Sequence, residues 1–119
     1  MDAEQTSALY GKGETAWNEW ALAVLKRKAE LETSGCWLAD WFGEGQNQET
    51  VEWLADARAD FSGDVFTADV SFQNFVFPGL ALFDGAQFRG RAQFTGSRFA
   101  HTARFQNARF DADAVFKQA

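Results

Sequence analysis

The stretch ADFSGDVFTADVSFQNFVFPGL (residues 59–80), continued by ALFDGAQFRGRAQFTGSRFAHT (81–102) and ARFQNARFDADAVFKQA (103–119), decides the fold. Phe61, Phe72, Phe83, Phe94, Phe105 and Phe116 recur every eleven residues. Phe66, Phe77, Phe88, Phe99 and Phe110 form a second series with the same period. The two interleave at alternating steps of five and six. Self-similarity at a fixed period points to a repeat architecture.

An eleven-residue period also suits a right-handed coiled coil. On a helix, however, five residues turn the chain by roughly 130–140°, so the two series would share no seam. Two residues before each first-series Phe stand Ala59, Val70, Ala81, Ala92, Ala103 and Ala114. In a strand, positions two apart point the same way, and in a helix they lie nearly opposite. A small residue and a Phe on one inner face therefore predicts strands. Two residues after each first-series Phe stand Gly63, Asn74, Gly85, Gly96, Asn107 and Gln118. Gly and Asn tolerate the left-handed backbone region best, so a turn is expected at a fixed place in every repeat. The second series is followed each time by one extra residue (Asp69, Leu80, Arg91, Thr102 and Asp113), which predicts a wider corner. Four such sides would close a coil of about twenty-two residues, with coils stacked ~4.8 Å apart. All eleven of these Phe are expected to form the core. No coil can bury its own Phe without a neighbour.

The unit Ala59-Asp60-Phe61-Ser62-Gly63 resembles the pentapeptide-repeat family in all five positions. Ala81-Leu82-Phe83-Asp84-Gly85 and Ala92-Gln93-Phe94-Thr95-Gly96 are similar to it in most. The resemblance implies a mainly β fold, a right-handed quadrilateral β-helix, over residues 59–119. Asp64 and Phe75 stand where a small residue belongs, and the alternating step departs from strict pentapeptides.

Residues 1–58 are expected to be a small helical cap, because a solenoid's open edge must be covered. Trp17, Trp20, Ala21, Val24 and Leu31 fall at helical spacing between Thr15 and Glu32, and Ser34-Gly35 reads as the stop. A second helix is expected from Thr50 to Arg58. The segment Ala16-Trp17-Asn18-Glu19-Trp20 is similar to the helix that opens many bacterial members of the family. Trp17, Trp20, Trp37, Trp41 and Trp53 are expected to plug the end of the solenoid.

The chain carries no catalytic constellation that the residues reveal, and no cofactor or metal is expected. His101 is the only histidine and Cys36 the only cysteine, and the two fall in different modules. Cys36 is expected to be a buried thiol in a reducing compartment. The N-terminus lacks a basic and an apolar signal region, and no apolar run approaches the ~20 residues of a membrane helix. A cytoplasmic location is therefore expected. Residues 1–60 hold twelve acids against five Lys or Arg, while residues 61–119 hold five against six. The overall charge of −6 argues against nonspecific nucleic-acid binding. In the later coils Arg89, Arg91, Arg98, Arg104 and Arg109 form a candidate patch for an acidic partner.

The reading that follows is a non-enzymatic structural or protein-interaction module. The resemblance raises one alternative, a DNA-mimicking regulator or protector of a DNA topoisomerase. The short, near-neutral repeat half counts against it. The repeat stops in phase at Ala119, so either further repeats or a homodimer through the C-terminal coil is expected.

Overall fold

The computed structural model describes residues 1–119, with three helices followed by eleven two-residue strands. The first coil carries β1 (Ala59–Asp60), β2 (Val65–Phe66), β3 (Val70–Ser71) and β4 (Val76–Phe77). The second carries β5 (Ala81–Leu82), β6 (Gln87–Phe88), β7 (Ala92–Gln93) and β8 (Arg98–Phe99). β9 (Ala103–Arg104), β10 (Arg109–Phe110) and β11 (Ala114–Val115) make the third. All pairings are parallel and join residues 22 apart, as in Ala59↔Ala81↔Ala103 and Phe66↔Phe88↔Phe110. Four ladders result: β1-β5-β9, β2-β6-β10, β3-β7-β11 and β4-β8. The chain is a β-helical solenoid of stacked parallel strands.

The register brings identical side chains over one another. Phe61, Phe83 and Phe105 stack at 5.0 and 4.9 Å. Phe66, Phe88 and Phe110 stack at 4.9 and 4.8 Å. Phe72, Phe94 and Phe116 stack at 5.0 and 4.7 Å, and Phe77 meets Phe99 at 4.8 Å. These spacings match the separation of neighbouring strands, so ring stacking and backbone pairing satisfy each other. Ala59, Ala81 and Ala92 are buried beside the rings. Burial fades toward the ends: Phe66, Phe99, Phe105 and Phe110 are half-buried and Phe116 is 42% exposed.

First-series corners are tight turns. The N–H of the residue three on donates to the Phe carbonyl, as from Asp64 to Phe61 at 3.2 Å and from Ser97 to Phe94 at 3.1 Å. The third residue of each turn has positive φ, from Gly63 at 71° to Asn107 at 60° and Gln118 at 58°, as this turn type requires. Second-series corners use glycine differently. Gly90 lacks positive φ, but a Cβ there would lie 2.5 Å from the Ala68 carbonyl carbon one coil below. The wide corner brings two backbones together, and glycine makes room.

The helices cover one end of the coil. α1 (Ala3–Gly11), which carries no apolar stripe to predict it, begins with a capping box: Asp2 accepts from the Gln5 N–H while the Gln5 side chain accepts from the Asp2 N–H. α2 (Glu14–Thr33) buries Trp17, Ala21 and Val24, and α3 (Gln48–Ala57) starts at Asn47, whose side chain accepts from the Thr50 N–H at 2.9 Å. Trp53 donates to the Val24 carbonyl at 2.8 Å and meets Trp37 edge-on, joining α3 to α2.

Side chains of α1 and α2 satisfy the first coil's open edge. Thr6 accepts from the Asp60 N–H, and Trp17 donates to the Val76 carbonyl at 2.8 Å. Asn18 accepts from the Val76 N–H at 2.9 Å and donates to the Asn74 carbonyl at 3.0 Å. Phe75 overfills its small-residue slot and packs between Tyr10 and Trp17, with ring centroids at 5.8 and 5.5 Å. Asp64, the other misfit, has its carboxyl raised above its ordinary value by burial and then by Asp60. Cys36, expected to be buried, is half-exposed. It lies in the link after α2 rather than inside either aromatic cluster.

Candidate interaction surface

Between α2 and α3 the chain folds into a small hairpin, residues 38–46. Gly35, at φ 76°, reverses direction after α2. The Cys36 carbonyl accepts from Asn47 Nδ2 at 2.7 Å, and the Leu38 N–H donates to Thr50 Oγ1 at 2.9 Å, pinning the hairpin's base to α3. Ala39 and Gly45 bridge antiparallel, with Gln46 N–H donating to Leu38 at 2.8 Å. The Asp40 carboxylate then braces the tip. It accepts from the Phe42 N–H at 2.9 Å, the Glu44 N–H at 2.8 Å and Gln46 Nε2 at 3.1 Å. Gly45 lets the hairpin lie on α3, since a Cβ would come within 2.7 Å of the Val51 nitrogen.

This frame holds Trp41 94% and Phe42 85% exposed. Trp41 therefore departs from the expectation that all five Trp plug the solenoid. Of the five, Trp17 alone meets repeat rings directly, stacking on Phe61 and meeting Phe77 edge-on. Trp20 packs beside it, while Trp37 and Trp53 belong to the smaller cluster between α2 and α3.

Beside Phe42 runs a groove of about 650 Å³ between the hairpin, α3 and a corner of the solenoid. Val51, Leu54 and Leu80 give it an apolar wall, and Arg58, His101 and Glu44 add charge or polarity. A Cβ on Gly43 would lie 3.7 Å from His101 Nε2, so the hairpin reaches over the second coil. A second cleft, about 610 Å³, lies where Tyr10 and Glu14 face Ser71, Gln73 and Asn74. There burial raises the Tyr10 phenol, whose hydroxyl donates to the Ser71 carbonyl at 3.3 Å.

The five arginines do not come together as one patch. Arg98, Arg104 and Arg109 sit on β8, β9 and β10, which belong to three different ladders. Arg104 pairs with Asp84, Arg109 with Asp111 at 3.0 Å and Arg91 with Asp113 at 3.8 Å. Arg89 and Arg98 are exposed and carry no ion pair. The steps of six and five residues from Arg98 to Arg104 to Arg109 place these side chains on successive sides of the coil rather than along one ladder. No three His, Cys, Asp or Glu side chains are placed to hold a metal ion, and no helix is long and apolar enough to cross a membrane.

A parallel solenoid with a Phe in every inner corner and a 22-residue register defines a class of repeat protein. Residues 72–119 match the family model described as pentapeptide repeats (9 copies), which supports the resemblance of the repeat region to that family. No curated protein and no solved structure matches the chain.

Proposed function

We propose that this protein is a non-enzymatic scaffold that presents a protein-interaction surface. The observation that carries this is the braced hairpin, which holds Trp41 and Phe42 in solvent on a rigid frame. Paired exposed aromatics of this kind are typical anchors of protein interfaces. The match of residues 72–119 to the pentapeptide-repeat model supports the same reading, since such repeats suggest structural or interaction modules. In this account residues 1–58 act as a cap that also displays the hairpin. The coil is right-handed and quadrilateral, as the family resemblance implies and as four ladders per 22 residues support.

Photo-cross-linking tests the proposal. A photoreactive amino acid replacing the exposed Val51 beside the groove should yield a discrete protein adduct in cells of the source. Adding Trp41→Ser and Phe42→Ser should abolish it. An adduct pattern indifferent to both aromatics would show that this surface does not dock proteins.

A further inference from the structure

We infer that the groove beside Phe42 receives an acidic, apolar-anchored peptide segment of a partner protein, a specification that rests on the interaction-module reading. Three features select this occupant. The wall is apolar (Phe42, Val51, Leu54 and Leu80), so aliphatic or aromatic side chains gain by entering it. Arg58 stands in the groove exposed, with no carboxylate paired to its guanidinium, and His101 lies opposite on the solenoid corner. Arg104 also lines the groove, paired with Asp84, and Glu44 is the only acid among the lining residues. The lining thus holds two arginines against one acid, in a chain whose net charge is −6. The unpaired Arg58 guanidinium offers a carboxylate a partner at this one place on a net-acidic chain, which orients an acidic ligand onto the groove.

The hairpin's internal hydrogen bonds favour docking further. The Asp40 bonds hold Phe42 at the groove's mouth before any ligand arrives, so little ordering entropy is lost on docking. An anionic membrane is the rival occupant for exposed Trp and Phe. The chain's charge of −6 opposes it.

Fluorescence anisotropy with labelled synthetic peptides decides the matter on the full chain. The probes are a short peptide alternating Glu with Leu and Phe, its Lys-for-Glu counterpart, and a Glu–Ser peptide without apolar residues. Only the first should bind. Arg58→Glu should weaken it by about tenfold or more, and Phe42→Ser by a similar factor, while thermal unfolding followed by circular dichroism stays unchanged. Added salt should weaken it too. Equal binding of the Lys peptide, no effect of Arg58→Glu, or no binding at all would overturn the assignment. So would uptake of the protein by phosphatidylcholine–phosphatidylserine vesicles through Trp41 and Phe42. An aromatic-dependent cross-linked partner that docks a basic or neutral segment would leave the scaffold reading intact and refute only this inference.

Discussion

Phe83 meets Phe61 below and Phe105 above at 5.0 and 4.9 Å, with ring planes within 6° of parallel. Trp17, in the helical half, meets Trp20, Phe61, Phe75 and Phe77 at interplanar angles from 27° to 69°. The first environment is one contact copied by translation along an axis. The second is assembled once, from one partner on the same helix and three on the first coil. The difference teaches how a repeat protein ends. Translation supplies every inner coil with the same neighbours, but the first coil has none below it. A non-repeating element must therefore match both its rings and its unpaired backbone groups.

The sharpest way to break this comparison is to remove a stacked ring. Phe94 is fully buried between Phe72 and Phe116. Phe94→Ala should cost about 3–5 kcal/mol in urea titration. Gln87→Ala, on the outer side of β6, should cost under about 0.5 kcal/mol. Similar losses at the two positions would contradict the translational core.

A smaller effect is expected where the halves join. Asn18→Ala leaves the Val76 N–H and the Asn74 carbonyl without their partner. The cost should be about 1–3 kcal/mol. Hydrogen exchange should quicken at Val76 more than at Arg98, the residue paired with it one coil above. Uniform quickening along β4 and β8 would mean that Asn18 supports the whole fold and not its edge.

The smallest effect concerns pH. The Asp64 carboxyl is raised from its ordinary 3.8, first by burial and then by Asp60. A carboxyl that holds its proton more tightly when folded destabilises the fold once ionised. Stability should therefore decline as pH rises from the ordinary carboxylate value through the raised one. Asp64→Asn should remove that decline. An unchanged pH profile of the melting temperature in the variant would place its origin elsewhere.

The N-terminal segment shows how legibility depended on the kind of signal. α2 was readable because Trp17, Ala21 and Val24 recur on one face, and the structure extends it by one residue at each end, to Glu14–Thr33. α3 was expected over residues 50–58 and runs from Gln48 to Ala57, because Asn47 caps it earlier. α1 has no such stripe and buries only Thr6. The signal that could have found it is the Asp2-x-x-Gln5 capping box. The interaction surface was hidden for a different reason. Trp41 resembles the other Trp in type, and its exposure follows from Asp40 bonds and from the approach of Gly45 to Val51.

By itself the sequence determined the parallel coil, its register and its core. The period of the Phe series repeats a local environment, and 22 residues return each ring to the same position one strand spacing away. Only the tertiary structure decided which aromatics close the end, which stand in solvent and where the groove opens. Those outcomes rest on single contacts between distant segments, such as Trp17 to Val76 across 59 positions. No periodicity encodes a contact made once. It emerges only when the helices are packed against an edge whose unpaired groups select particular side chains.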